Sequence, residues 1–233
     1  MNESIISKAK EFLYSYVKDK KIDYETIHPW RNNWEFVILH SLRVEGYVRK
    51  ILNKENHSLS SDEVLTVRLA AILHDIGRIH QRENHALLSK DIIASWIKGT
   101  QIMNVESKEY KKLLFLVERH SDKKSNENDY SLKVLRDADT LDEIGVLSIF
   151  MASSWIDRSN SLFFNMLLDR VENFEISFCD KKLEMLSTES GKSILTEKQK
   201  FIELFCHQLE DELFGTELFG QVNIEEYFEN MTK

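Results

Sequence analysis

Apolar positions along this chain fall into segments with helical spacing, set apart by short polar stretches. The first segment, from near Asn2 to Lys20, would bury Ile5, Ile6, Ala9, Phe12, Leu13, Tyr16 and Val17. A second helix is predicted from near Asn33 to about Asn53. Ser60-Ser61-Asp62-Glu63 reads as a cap with acidic residues in the first turn, and it opens a third helix. From Leu69 to Leu73 that helix is apolar on every side, which marks a central helix surrounded by others. Further helices are expected over 84–98, 107–121, 130–136, 140–157 and 160–176. Ser177 to Ser193 turns polar, with Gly191 near its end, and reads as a loop. The last long helix carries Phe201, Phe205, Leu209 and Leu213 at every fourth position. Phe150, Trp155, Phe163 and Phe164 are expected to feed the core. The segment from Glu217 onward is acidic with scattered aromatics. The expected fold class is all-α, a single domain over 1–233 with a helical N-terminal extension and an acidic C-terminal tail.

Composition supports this picture. One proline and seven glycines in 233 residues suit helices joined by short loops, since hairpins and sandwiches consume turn residues. Pro29 lies in an irregular stretch beside His28 and Trp30, where it costs no helix bonds. The formal charge is −8, and no Lys/Arg cluster is interleaved with aromatics, which argues against extended nucleic-acid binding. Cys179 and Cys206 lie far apart, in no metal-ligand spacing, and read as free thiols of a reducing compartment. Glu3, Lys8, Lys10 and Glu11 leave no apolar signal segment, and the longest uncharged apolar stretch, Ile144 to Ile156, is too short for a membrane span. A soluble cytoplasmic protein is expected.

The chemistry begins with the eight histidines. His28, His57, His80 and His207 have unremarkable neighbours and read as surface or structural residues. His74 and Asp75 instead end the most apolar helix, where an imidazole and a carboxylate need compensating partners. A metal ion would compensate both. Adjacent helical residues point about 100° apart, so two of them converge on one ion only near a helix end. Gly77 then reads as the helix stop. His40 interrupts another apolar helix (Phe36, Val37, Ile38, Leu39, then Leu42 and Val44) and is followed by Arg43. Asp137, Asp139 and Asp142 read as opening a further apolar helix, where capping is an alternative reading because the helix dipole favours carboxylates.

In order, His40, His74-Asp75 and Asp139 resemble the signature of the HD superfamily of metal-dependent phosphohydrolases. The matching strings are HSLRV at 40–44, LAAILHDIGR at 69–78, ERHSD at 118–122 and DADTLDEIG at 137–145, and Ser89 in NHALLS also matches. The string MLSTESGKSILTEKQKFIELF at 185–205 is similar to the C-terminal helical region of a bacterial branch of uncharacterised HD hydrolases. The resemblance covers roughly 30 to 214. It implies a helical bundle with a metal site between central helices, its ligands His40, His74, Asp75 and Asp139. Asp139 is preferred to Asp137 because it stands in the Ala-Asp-x-Leu piece. Some HD families add two histidines and a second metal, for which His85 and His120 stand in the right order. The branch resembled here often holds one ion, so the resemblance implies one or two.

The implied activity is hydrolysis of a phosphate ester or nucleotide phosphate with water activated by the ion. Asp75 would orient or deprotonate the water, and His120, where not a ligand, would act as general acid. Arg43 and Arg78 are candidates for holding phosphate, each with an ordinary ion pair as the alternative. Mixed N/O ligation suits Mn, Fe, Ni, Co or Zn better than Mg. Two other readings stay open: an HD-fold di-iron oxygenase, and a non-catalytic metal- or nucleotide-binding module. A homodimer also stays open.

Overall fold

Ser60 begins the most buried element with a capping box. Its Oγ accepts from the Glu63 amide (3.3 Å), and the Ser60 amide donates to Glu63 Oε2 (2.8 Å). The helix it opens, α3 (Ser61–Leu73), has every residue from Leu69 to Leu73 at 1% exposure or less. In the computed structural model it is packed by α1 (Asn2–Val17), α2 (Trp34–Lys54), α5 (Lys108–Arg119) and α6 (Tyr130–Leu141). The structure describes residues 2–22, 24, 28–55, 59–122, 127–214 and 224–232, so the surface reading of His57 lies outside the described residues. Those residues form helices and turns, with no strand beyond an isolated bridge between Lys21 and Asn33. None of the helices is long and apolar enough to cross a membrane.

The described residues divide into two compact units, the first being 1–142 with 186–191. Within it α2 is capped by Asn33, whose Oδ1 accepts from the Phe36 amide (3.1 Å). The helix buries Val37, His40, Ser41, Val44, Glu45, Val48 and Ile51, a stripe at spacings of three and four that sets His40 on the inner face. A tight turn at Ile76–Ile79 leads from α3 towards α4 (His85–Thr100). Gly77 does not stop a helix through left-handed backbone. It sits where a Cβ would lie 2.5 Å from the His85 carbonyl oxygen and 2.9 Å from the Ser89 amide, so glycine is needed for close approach to α4.

Around Asp139 the structure differs from the sequence reading. Asp139 lies in the last turn of α6, which is capped by Asp129 and runs on to Leu141. The backbone breaks at Asp142, with Glu143 (φ 61°) and Gly145 (φ 97°) both left-handed, so the expected helix over 140–157 is divided. Asp137 lies within α6 and does not open a helix of its own: it accepts from the Ser187 and Thr188 amides and from Thr188 Oγ1, at 2.7 to 3.1 Å.

The second unit, 143–185 with 192–233, contains α7 (Val146–Ser153), α8 (Phe163–Arg170), α9 (Ser177–Met185), most of α10 (Glu189–Phe214) and α11 (Ile224–Met231). A π-helical turn at Val171–Ile176 carries α8 into α9, so 177–185 is helix where a loop was expected. In α10 the buried apolar residues are Ile194, Leu195, Ile202 and Cys206, whereas Phe201 is 46% exposed. The fourfold stripe of Phe201, Phe205 and Leu209 instead borders an open apolar cavity of ≈ 670 Å³ with Phe150, Phe163 and Phe164. Phe150 and Phe164 are exposed and do not belong to the core.

Candidate metal centre

The first unit brings four histidines and three aspartates together. His74 keeps helical backbone at the end of α3, its amide donating to the Ala70 carbonyl (2.8 Å), while Asp75 departs from the helix (φ −106°, ψ 10°). This change of backbone lets two adjacent side chains converge. His40 comes from α2, His85 opens α4, His120 follows α5, and Asp139 and Asp142 come from the end of α6.

Each imidazole is oriented through Nδ1. His74, His85 and His120 donate Nδ1–H to the carbonyls of Ala71 (2.8 Å), Arg82 (2.8 Å) and Val117 (2.6 Å). A carbonyl only accepts, so each of these rings carries a proton on Nδ1, and its neutral form presents the lone pair at Nε2. His40 Nδ1 lies 2.7 Å from Asp142 Oδ2 and is fixed in the same way. The Nε2 atoms then face one another in pairs, His40 to His74 at 3.2 Å and His85 to His120 at 3.3 Å. Facing imidazole nitrogens in a buried interior call for a cation or a proton between them.

Asp75 stands between the pairs. Its Oδ2 is 3.2 Å from His40 Nε2 and 3.7 Å from His74 Nε2, and Asp139 Oδ1 faces the same two nitrogens at 3.4 and 3.8 Å. Its Oδ1 is 3.1 Å from His85 Nε2 and 3.3 Å from His120 Nε2. Buried Oδ1 has no hydrogen-bond partner among the described residues. His40, His74 and Asp75 could hold one metal ion, and Asp75, His85 and His120 another, since the ligand atoms of each group lie within 4.8 Å of one another. The buried set of imidazole nitrogens and carboxylate oxygens fits a divalent transition metal.

The electrostatics follow from this crowding. Burial alone would push His40 down, but Asp139, Asp142 and Asp75 outweigh it and raise it well above the usual histidine range. Burial would raise Asp75, yet Arg78, His74, His120 and His40 hold it well below the usual carboxylate range. Asp142 is also lowered: His40 and Arg43 outweigh its burial. Burial pushes His120 down, with Asp75 opposing.

All the sequence-predicted ligands, His85 and His120 included, are therefore neighbours. Arg78 reaches Asp75 Oδ2 with Nε (2.9 Å), whereas Arg43 grips Asp142 through Nε (2.6 Å) and an Nη (3.0 Å). Ser89 is fully buried and accepts from the Gly77 amide (2.9 Å). Of the histidines set aside, His28 stacks on Trp30 and His80 meets the Tyr16 hydroxyl (3.0 Å). The sequence reading missed Asp142 as the residue that orients His40, although it stands in the DADTLDEIG string. It also missed Arg31 and Arg82, which with Tyr24, Phe36 and Arg78 line a cavity of ≈ 140 Å³.

A family model for the HD domain matches residues 37–144. No curated protein matches the chain. Among solved structures, the Lin1889 protein of Listeria innocua is 23% identical with a TM-score of 0.55, over 91% of this chain and 97% of that one. A predicted HD superfamily hydrolase from an uncultured Thermotogales bacterium is 19% identical with a TM-score of 0.59, over 89% and 92%. Bacillus subtilis YpgQ in complex with ADP is 19% identical with a TM-score of 0.58, over 92% and 98%. At these identities the likeness to the solved structures speaks for the fold.

Proposed function

We propose that this chain, which belongs to the HD superfamily, is a metal-dependent phosphohydrolase that cleaves a phosphate ester or nucleotide phosphate by attack of water. The observation that carries the reading is the position of Asp75, each carboxylate oxygen facing the Nε2 atoms of one histidine pair. His40, His74, Asp75 and Asp139 would hold one divalent ion, and Asp75, His85 and His120 a second. Such an ion supplies Lewis acidity, polarising a phosphoryl oxygen and making water a better nucleophile near neutral pH. Asp75, kept ionised, orients the attacking water from the floor of the site. His120 Nε2 either completes the second set or holds a proton for the leaving group. Arg78 sets a guanidinium beside Asp75, where it can pair with phosphoryl oxygens. The ADP bound to YpgQ, a protein of the same fold, supports a nucleotide-like substrate. Free, buried Cys179 and Cys206 support a cytoplasmic setting.

The test is elemental analysis of purified protein beside Asp75→Ala, with phosphate release from nucleotides and simple phosphate esters assayed with several divalent ions. The expected result is bound metal and turnover in the wild type and neither in Asp75→Ala. Unchanged metal content in the variant would sink the reading. Convergence of six ligand residues, one of them a shared aspartate, also fits a di-iron oxygenase; phosphate release under anaerobic conditions counts against that alternative.

A further inference from the structure

We infer that the cavity lined by Arg31, Arg78 and Arg82 is a subsite for a second phosphate, so that the substrate is a diphosphate or longer polyphosphate and not a phosphomonoester. The inference rests on the phosphohydrolase reading and narrows its substrate class. The chain carries 39 acidic against 31 basic residues, yet the described lining of this cavity contains three arginines and no carboxylate. Guanidinium groups match phosphate oxygens in a planar fork, and three on one small cavity are suited to a concentrated anion.

Three contacts tie the cavity to the metal centre. Arg78 lines it while its Nε rests 2.9 Å from Asp75 Oδ2. Arg82 lines it while its carbonyl accepts the Nδ1 proton of His85 (2.8 Å). Phe36 lines it while its ring lies nearly parallel to that of His40, centroids 5.9 Å apart. Tyr24 adds a wall, its hydroxyl donating to the Arg78 carbonyl (2.8 Å). A phosphoryl group paired with Arg78 beside Asp75 would have the next phosphate of a polyphosphate enter the cavity that Arg31 and Arg82 line. The volume of ≈ 140 Å³ also limits the occupant, because drug-sized ligands need about 300 Å³ or more. It admits a phosphoryl group and leaves a nucleoside outside.

The test is titration calorimetry of inorganic pyrophosphate and of phosphate into chelator-treated protein, for the wild type, Arg31→Gln, Arg82→Gln and Arg82→Lys. Thermal melts establish that each variant is folded, and Arg82 is exposed, so its replacement leaves the core alone. Expected are pyrophosphate binding at least tenfold tighter than phosphate, a tenfold loss in each Gln variant, and partial recovery in Arg82→Lys. Equal affinity for the two anions, or pyrophosphate binding indifferent to both arginines, overturns the subsite. A second measurement compares kcat/KM for a nucleoside diphosphate and its monophosphate in the metal-loaded enzyme. The Gln variants should lose at least tenfold more on the diphosphate, through KM. Turnover of phosphate esters combined with variant-insensitive pyrophosphate binding defeats the subsite and leaves the hydrolase reading. Arginine-dependent pyrophosphate binding without turnover of any phosphate compound defeats the hydrolase reading and leaves the subsite.

Discussion

Asp142 Oδ2 accepts the Nδ1 proton of His40 at 2.7 Å, and Arg43 holds the same carboxylate through two nitrogens. A carboxylate behind an imidazole fixes the tautomer and turns the ring so that Nε2 faces the centre. Arg43 in turn keeps Asp142 ionised and stationary.

The first prediction follows from this chain of contacts. Asp142→Asn keeps the volume but removes the charge behind His40, so metal affinity should fall about 10- to 100-fold. Competition with a chelator of known affinity measures it. An unchanged affinity would mean that the His40 contact is packing alone.

His120 offers a count. In His120→Ala the set of His40, His74, Asp75 and Asp139 is intact, whereas the set facing Asp75 Oδ1 loses one of its two histidines. Metal content should drop by about half if two ions bind. Content equal to that of the wild type argues for one ion and leaves His120 for proton transfer.

Gly77→Ala places a methyl group 2.5 Å from the His85 carbonyl oxygen and 2.9 Å from Ser89 Oγ. Two backbone segments must separate, which costs about 2 kcal/mol and lowers Tm by roughly 5 °C in a chain of this size. A thermal melt within 1 °C of the wild type would be the contrary result (about the shift expected for a neutral surface change).

Glu175 lies buried in the π-helical turn of the second unit. Burial pushes its carboxyl above the usual range, against Arg170 and a hydrogen bond with Ser148. The folded form therefore holds its proton to higher pH than the unfolded chain, and this group's stability contribution falls as pH rises from the ordinary glutamate range through the raised value. Glu175→Gln should flatten that slope and raise Tm at neutral pH by roughly 2 °C, the scale of under 1 kcal/mol in a chain this long. Parallel melts of the two proteins between acid and neutral pH check it. A Tm difference that does not grow towards neutral pH contradicts the assignment.

Much of the helical order was legible because it depends on local rules. The capping box at Ser60–Glu63, the stripe of α2 and the all-round apolar run of α3 each show in the chain within a few residues. The second unit was less legible. Every fourth residue of α10 is apolar from Phe201 to Leu209, yet the helix buries Ile202 and Cys206, one position along. Periodicity marks an apolar face without saying whether another helix covers it. The 177–185 segment is polar because α9 buries only Cys179, so its helical character left little pattern to read.

The sequence by itself determined the all-α class, the pairing of His74 with Asp75 at a helix end, and the order of histidines and aspartates through the resemblance to the HD superfamily. Those properties live in residue identity and short spacing. Only the tertiary structure decided that Asp75 turns one oxygen to each histidine pair, that Asp142 supports His40 from 102 positions away, and that Arg31 and Arg82 share a cavity with Arg78. Such relations depend on where packed helices end in space, and burial of apolar faces fixes those endpoints only when the whole unit has folded.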